Sequence, residues 1–458
     1  MVQATSNASD PFVRARNHFR FIQWDITARC NLRCIHCRSE SFYGSKDLER
    51  DMPLPAIKTR LEELAVRGIR RIHFLGGEPF CRSDLAEIVR HATGIGILCS
   101  INTNATLITE PRAREIIEAG AYLLTFSIDG PDAPTNDTIR GPGSFERIVR
   151  GIENVQRAKS ALRGRTRLIC SHVLMRPNYE RVVDMVDLCT ELGLQNLIVT
   201  GLRQMGGAIG NYPSLKLTRA ENLEAAEALI ARLQSGRPHC NVQIDIVGLL
   251  HRLYLNERFG LNQPVTRSGC NAVASKAYVQ PDGTLFPCQD VAKAVGKRQA
   301  RAEIQAEGVD TWNSSRYSSI ALGLKTLEVY RNYVPCRSCP ALGRLCLPCP
   351  LRGVRGEHAV QEECIDAYRR AKQDGIDLRA AIERSARGSA TERIIEDPSY
   401  RLELFAAEQP EDFLRAGCED EETRQRLSAF RDATLGEIQS LLRAGLEQVG
   451  GNADENPC

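Results

Sequence analysis

The chain has 458 residues, of which 60 are basic and 57 acidic. This near-neutral balance excludes a long charged tail as the main feature, and it gives no electrostatic reason to expect nucleic acid or a charged membrane surface as a partner. No apolar run approaches the roughly 18 to 20 residues of a membrane span. The 17 cysteines are an odd number, and residues 1–12 contain no apolar segment of a secretory signal. We therefore expect a cytoplasmic protein whose reduced thiols bind metal.

Short apolar runs alternate with helical segments over the first half of the chain, which is the pattern of repeated βα units. Six such runs lie at 19–27, 71–75, 95–103, 122–128, 166–174 and 196–201. The pattern predicts an α/β fold with parallel strands, either as a barrel or as an open sheet. Its reactive side should be the C-terminal ends of the strands, where the βα loops gather.

The composition and the hydrophobic periodicity of the chain change after these βα units. Residues 241–247 read as another strand, 264–365 are rich in cysteine and proline with a turn at Pro281-Asp282-Gly283, and the remainder is charged and helical. In that last part an apolar stripe ending at Val449 is expected to pack on the body. The predicted organisation is a tail 1–18, a βα domain 19–235, a linker and strand 236–263, a metal-nucleated domain 264–365 and a helical extension 366–458.

The first cysteine motif follows the first predicted strand. Cys30, Cys34 and Cys37 have the spacing C-x3-C-x2-C. Three thiolates leave one iron of a [4Fe-4S] cubane without a protein ligand, open to a substrate or cofactor. The alternative is a three-cysteine zinc site that borrows His36, although His36 lies between two of the cysteines and would have to fold back onto the metal.

The second predicted strand ends in Gly76-Gly77-Glu78-Pro79, on the same face as the cysteine motif. Two glycines let a ligand approach the backbone closely, so that strand-end carbonyls can accept from an ammonium group. Glu78 adds a carboxylate for the same group. A simple strand-to-helix turn is the alternative for this tetrapeptide alone, but its place one βα unit after the cysteines favours a functional role.

Together these motifs resemble the radical S-adenosylmethionine (radical SAM) superfamily over about residues 19–233. The resemblance implies a partial (β/α)6 TIM-like barrel in which Cys30, Cys34 and Cys37 hold a [4Fe-4S] cluster. The open iron would bind SAM, which is cleaved reductively to a 5′-deoxyadenosyl radical that abstracts hydrogen from substrate. The residues that the resemblance places around SAM are Gly76, Gly77, Glu78, Pro79, Asn104, Ser127 and Arg140.

Some of these positions depart from the family pattern. Thr103-Asn104 is followed by Ala105 where the family has glycine, and His36 and Arg38 stand where many members have aromatic residues near the adenine. Ser127 and Arg140 match polar positions near the SAM carboxylate. For Arg140 the alternative is a solvated loop charge.

Seven later cysteines form a second array. The pairs Cys336-x2-Cys339 and Cys346-x2-Cys349 alone would also suit a zinc ribbon. The full array resembles the SPASM extension of radical SAM enzymes, with one cysteine displaced by a residue. This implies two auxiliary [4Fe-4S] clusters, one held by Cys336, Cys339, Cys346 and Cys364, and one held by Cys270, Cys288 and Cys349.

The second auxiliary set is one ligand short. Its open iron would be capped by substrate, water or a distant residue such as Cys240, although Cys240 is better explained as a core residue. Cys99, Cys170 and Cys189 also read as small core hydrophobes, and Cys81 could approach the active site.

The sequence therefore predicts a radical SAM oxidoreductase of the SPASM type, with three [4Fe-4S] clusters, SAM, and a reducing partner such as flavodoxin or ferredoxin. The expected substrate is a ribosomally made peptide or a protein side chain. The leader segment of such a peptide would dock elsewhere than before the first strand, for example on residues 366–458. A small molecule, such as an aminoglycoside or a tetrapyrrole precursor, is the alternative substrate. A non-enzymatic iron–sulfur carrier or zinc scaffold is the alternative class, and the Gly76–Pro79 segment argues against it.

Overall fold

The computed structural model divides the chain into two compact units. We call Phe21–Val247 with Val279–Gly283 the sheet unit, and Met1–Arg20, Gly248–Tyr278 and Thr284–Cys458 the C-terminal unit. The residues that the structure describes are 21–38, 51–66, 69–204, 206–236, 239–261, 276–286, 289, 339–341, 345–346 and 359–386. Within this described part, no helix is long and apolar enough to cross a membrane.

The described part of the sheet unit contains seven parallel strands that lie side by side in chain order. They are β1 (Phe21–Asp25), β2 (Arg71–Leu75), β3 (Leu98–Thr103), β4 (Leu123–Ser127), β5 (Arg167–Leu174), β6 (Asn196–Gly201) and β7 (Asn241–Asp245). The predicted α/β class with six parallel βα strands is confirmed. β7 lies beyond residue 235, in the segment predicted to be a linker with a strand, and it adds a seventh parallel strand to the sheet.

Among the residues that the structure describes, eight helices connect these strands. They are α1 (Leu54–Val66), α2 (Leu85–Gly94), α3 (Glu110–Glu118), α4 (Ala133–Arg140), α5 (Ser144–Ala161), α6 (Asp184–Glu191), α7 (Ala208–Leu215) and α8 (Arg219–Ser235). α1 buries Ile57, Leu61 and Leu64, which follow one another at helical spacing. α8 begins with the capping box that the sequence predicts, formed by Thr218 and Glu221.

The two faces of the sheet differ because side chains alternate along each strand. One face is apolar and fully buried, with Trp24, Phe74 and Phe126 among its residues. The other face carries polar, half-buried side chains, including Gln23, His73, Ser100, Asn102 and Ser127. Hydrogen bonds join neighbouring strands on this polar face: His73 Nδ1 lies 2.9 Å from Ser100 Oγ, and Asn102 Nδ2 donates to Ser127 Oγ at 3.3 Å.

The described part of the C-terminal unit consists of short strands and helices. Its elements are α9 (Leu249–Phe259), β8 (Lys276–Val279), β9 (Leu285–Phe286), α10 (Ala359–Gln373) and α11 (Leu378–Ala386). α9 packs on α10, where His251 Nε2 lies 3.1 Å from Asp366 Oδ2 and the Tyr254 hydroxyl donates to Asp374 at 2.7 Å. The predicted turn at residues 281–283 falls between β8 and β9. The apolar stripe ending at Val449 lies outside the described residues.

Candidate functional site

The first cysteine motif forms a loop directly after β1. Cys30, Cys34 and Cys37 are all partly buried thiols, and their charges interact with one another. Burial raises the pKa of Cys30 to about 12 and that of Cys34 to about 11. Three such thiols become thiolates together only if a strong positive charge compensates them, which is what a metal site provides.

An aspartate outside the predicted set fixes the start of this loop. Asp51 accepts from the Thr27 hydroxyl at 2.5 Å and from the Ala28 amide at 2.9 Å. Arg82, whose side chain is 9% exposed, adds bonds to the carbonyls of Ile26 and Met52 at 3.3 and 3.1 Å. The segment that leads into the cysteines is therefore held on the sheet unit by several independent contacts.

The glycines after β2 lie against the same segment. The Gly77 amide donates to the Thr27 carbonyl at 2.9 Å and the Glu78 amide to the Arg29 carbonyl at 2.7 Å. A Cβ atom on Gly76 or Gly77 would collide with these same carbonyls, and Gly76 has a φ of +133°. The sequence interpretation explained the glycines by the approach of a ligand. The structure gives another reason, which is the close approach of the cysteine-loop backbone.

Glu78 is a buried brace between β2 and β3. Only 1% of the residue is exposed, and its carboxylate accepts from the Phe80 amide at 3.0 Å, the Thr103 hydroxyl at 2.6 Å and the Asn104 amide at 2.6 Å. Burial raises the pKa of Glu78, while these three hydrogen bonds oppose that rise. The contacts observed for this carboxylate are thus with the protein, and its predicted role toward an ammonium group stays a prediction.

Asn104 connects the end of β3 to the cysteine loop. Its side-chain amide donates to Asn31 Oδ1 at 2.9 Å, and Asn31 in turn donates to Thr106 Oγ1 at 2.8 Å. Ala105 has a φ of +59°, in the left-handed region that favours glycine. The backbone here therefore has the conformation that suits the glycine of the family pattern.

Ser127 and Arg140 lie near the end of β4. Ser127 is the last residue of that strand and is half-buried. Arg140, at the end of α4, is only 6% exposed, so the alternative of a solvated loop charge is wrong. Its guanidinium lies 2.7 Å from Asp129 Oδ2 and 4.0 Å from Cys34 Sγ. The same Asp129 oxygen lies 3.1 Å from His36 Nε2.

These contacts bear on the zinc alternative. His36 is committed to Asp129. Nor do the residues that the structure describes include a group of three or more His, Cys, Asp or Glu side chains gathered as one metal ion requires. The Asp129 contact argues against His36 as a fourth zinc ligand, and the iron–sulfur cluster at this loop stays a prediction.

The second cysteine array is described in part. Cys339, Cys346 and Cys364 are half-buried thiols, and the Tyr368 hydroxyl on α10 lies 3.8 Å from Cys339 Sγ. Burial raises the pKa of Tyr368, and the neighbouring Cys339 raises it further. The other four predicted ligands lie outside the described residues: Cys270, Cys288, Cys336 and Cys349. Both auxiliary ligand sets therefore stay predictions.

The cysteines predicted to be core residues are buried. Cys99, Cys170 and Cys189 are 0% exposed and Cys240 is 2% exposed. Cys81 is half-buried; burial raises the pKa of its thiol to about 11, and the nearby charge of Glu78 adds to the rise. The expectation that Cys81 approaches the active site stays a prediction.

Sequence reasoning missed the residues that hold the site together, namely Asp51, Asn31 and Asp129. Burial opposes ionisation of Asp129, but Arg140 and His36 outweigh it and hold the pKa of that carboxyl well below its usual range. Asp129 had a signal, because it is the third residue of the Ser-Ile-Asp-Gly motif that singled out Ser127. No sequence motif pointed to Asp51 or Asn31, since their hydrogen-bond partners are distant in the chain.

Comparison with known proteins places this site in a family. Residues 24–189 match the model of the radical SAM superfamily. An AdoMet-dependent heme synthase of Oleidesulfovibrio alaskensis is 37% identical over 175 residues, 38% of this chain and 43% of that protein. The mycofactocin maturase MftC of Mycolicibacterium smegmatis is 30% identical over 231 residues, 50% of this chain and 57% of that protein.

A solved structure agrees in fold. The crystal structure of Streptococcus suis SuiB bound to precursor peptide SuiA has a TM-score of 0.52 and 16% sequence identity, with 65% of each chain covered. The chain spans about half the length of the curated relatives it matches. These relatives and the shared fold also support a SPASM-type extension after the matched domain. Residues 24–189 of the chain therefore form a radical SAM domain.

Proposed function

We propose that the protein cleaves SAM reductively and uses the resulting radical to modify a ribosomally made peptide or a protein side chain oxidatively. One observation carries the proposal. The loop with three partly buried thiols is bonded, backbone to backbone, to the Gly76–Pro79 segment at the end of the next strand. A cluster on that loop and SAM beside that segment would therefore meet at one end of the sheet.

The donor set fits the cofactor. Cys30, Cys34 and Cys37 are neighbouring thiols, and the raised pKa values of Cys30 and Cys34 call for a compensating cation. They would hold the [4Fe-4S] cluster, with SAM near the residues that the sequence analysis assigns to it. When bound, the cluster and SAM supply the one-electron chemistry that removes a hydrogen atom from substrate.

The chain's own residues provide orientation. Glu78 and Asn104 fix the ends of β2 and β3 against the cysteine loop, so that the loop cannot shift relative to the strands. The polar face of the sheet, with Ser100 and Asn102 half-buried on it, offers hydroxyl and amide groups to a substrate. Such neutral donors and acceptors suit a peptide backbone, and this supports the peptide over the small-molecule alternative.

The activity is tested by anaerobic reconstitution with iron and sulfide, followed by SAM and dithionite. Three cubanes would give about 12 irons per chain, and 5′-deoxyadenosine should be released. Cys30→Ala should abolish that release and leave about eight irons. Cys99→Ala, at a buried cysteine outside all proposed ligand sets, is the matched control and should keep both iron and activity. Bound zinc in place of iron, or no deoxyadenosine from the wild-type chain, would refute the proposal.

The substrate class needs its own experiment. A small molecule remains the second candidate, because one relative is named as a heme synthase. The reconstituted enzyme should be offered synthetic peptides translated from short reading frames found beside its gene and, separately, an iron–porphyrin precursor. Loss of hydrogen atoms from the peptide by mass spectrometry supports the proposal; turnover of the porphyrin alone contradicts it. The flavodoxin or ferredoxin partner and the cytoplasmic location stay predictions.

A further inference from the structure

Three buried ionisable side chains meet beside the cysteine loop. Asp129 is 0% exposed, Arg140 6% and His36 9%. One Asp129 oxygen lies 2.7 Å from the Arg140 guanidinium and 3.1 Å from His36 Nε2. Burying an aspartate and an arginine is costly, and the cost is offset only when the geometry is well defined. A network of this kind therefore fixes its members in place.

The Asp129 carboxylate is itself immobile. Its other oxygen accepts from the Val173 amide at 2.8 Å, and its backbone carbonyl accepts from the Asn178 side chain at 2.8 Å. The Asp129 amide donates to Asn136 Oδ1 at 3.0 Å. The carboxylate is thus held by β5, the Asp129 backbone is held by the turn after β5 and by α4, and the other carboxylate oxygen faces His36 and Arg140.

The network reaches the cysteine loop at three consecutive residues. His36 is bound by Asp129, the Ile35 amide donates to the Ile139 carbonyl at 3.1 Å, and Cys34 Sγ lies 4.0 Å from the Arg140 guanidinium. A guanidinium beside a cysteine sulfur stabilises negative charge on it, and charges and hydrogen bonds at the sulfurs set the potential of an iron–sulfur cluster. Because Asp129 fixes Arg140, it also fixes that charge.

We propose that Asp129 is a positioning residue that clamps His36 and Arg140 together, and that the clamped Arg140 raises the reduction potential of the cluster held by Cys30, Cys34 and Cys37. The inference rests on the proposed function, because it requires that cluster. It differs from the role that the family resemblance implies for Arg140, which is contact with the SAM carboxylate. A clamp on the loop acts before SAM binds.

The test is an EPR-monitored redox titration of the reconstituted full chain without SAM. The loop cluster is recognised as the signal that is missing when Cys30, Cys34 and Cys37 are all replaced by alanine. In Arg140→Gln the ratio of reduced to oxidised loop cluster at a fixed potential should fall about tenfold, equivalent to 59 mV for a one-electron couple. Arg140→Lys keeps the positive charge but loses the planar guanidinium, so the ratio of reduced to oxidised cluster should fall by less than in Arg140→Gln. The control, Arg181→Gln, removes an exposed pair with Asp132 in the turn after β4 and should change nothing.

Asp129→Asn separates positioning from charge. Removing a negative charge near the cluster would by itself raise the potential, whereas releasing Arg140 would lower it. We expect a lower potential. An unchanged potential in both Arg140 variants, or a raised potential in Asp129→Asn, would overturn the inference. Weakened SAM binding with no shift in the SAM-free titration would also overturn it, because Arg140 would then act on the SAM carboxylate alone. If the wild-type chain binds no loop cluster, the proposed function itself fails.

Discussion

At the scale of single residues, Glu78 shows how a site motif can be structural. Its carboxylate accepts three hydrogen bonds from β3 and from the turn after β2, all at or below 3.0 Å. The three groups bonded to this carboxylate are all hydrogen-bond donors. If a side chain with an N–H group replaced Glu78, two hydrogen-bond donors would face each other.

We predict that Glu78→Gln destabilises the fold by roughly 2 to 3 kcal/mol, because the amide nitrogen would face one of the three donors and the charge-assisted bonds would be lost. Urea unfolding of the two proteins side by side measures the difference. Glu87→Gln, which removes only an exposed contact with Lys58, should leave stability almost unchanged. Equal stability of Glu78→Gln and the wild type would show that the brace is unimportant.

A second residue-scale prediction concerns Ala105, which is fully buried with a φ of +59°. Glycine would relieve a left-handed strain of roughly 1 kcal/mol. It would also lose the packing of one methyl group and increase the entropy of the unfolded chain, and both effects lower stability. Because these contributions oppose one another, Ala105→Gly should change the free energy of unfolding by less than about 1 kcal/mol. Ala105→Val should cost about 2 kcal/mol or more, since a branched side chain is strained there and overfills the core. Thermal unfolding of both variants decides, and a tolerated valine would contradict the assigned backbone conformation.

At the scale of elements, the junction between the cysteine loop and the end of β2 depends on glycine. A Cβ atom on Gly77 would collide with the Arg29 carbonyl, which is backbone and cannot swing away. We predict that Gly77→Ala displaces the loop and lowers the iron content by about four atoms per chain after reconstitution. Gly94→Ala, where nothing lies within 4 Å of the added atom, is the control and should keep all its iron. Full iron in Gly77→Ala would show that the loop tolerates the shift.

The turn between α4 and α5 gives a pH-dependent prediction. The Asp137 carboxylate accepts from the Gly143 amide at 2.6 Å, the Ser144 hydroxyl at 2.8 Å and the Phe145 amide at 2.8 Å, as a cap for the start of α5. The slight burial of Asp137 raises its pKa, but the bonds from Phe145, Ser144 and Gly143 outweigh this, and the net pKa is lowered.

Because the folded-state pKa of Asp137 is lowered, its contribution to stability is fully present above the ordinary aspartate value near 3.9 and is lost as the pH falls through the folded value. Asp137→Asn should therefore be less stable than the wild type by about 1 kcal/mol at pH 7, with the gap closing below about pH 4. Urea unfolding across this range provides the measurement. A constant gap would show that the carboxylate charge does not contribute.

At the scale of the whole molecule, sequence reasoning succeeded where the cause is local. The strands could be predicted because one apolar face of each is buried, and the cysteine loop because its spacing is short. The clamp of Asp129 on His36 and the brace of Glu78 on Asn104 could not, since each joins residues far apart in the chain that only the packed sheet brings together. The glycine pair was predicted from the approach of a ligand, which stays a prediction; the structure shows in addition that the cysteine-loop backbone lies against both glycines.

The division into two units yields the last prediction. The loop cysteines belong to the sheet unit, whereas Cys339, Cys346 and Cys364 belong to the C-terminal unit. If the second array holds auxiliary clusters, Cys346→Ala should lose about four irons yet still release 5′-deoxyadenosine from SAM, because the thiols of the loop are untouched. If these clusters take part in the oxidation of the proposed peptide substrate, its modification should fall. Loss of SAM cleavage together with substrate modification would instead mean that the two arrays depend on each other for assembly.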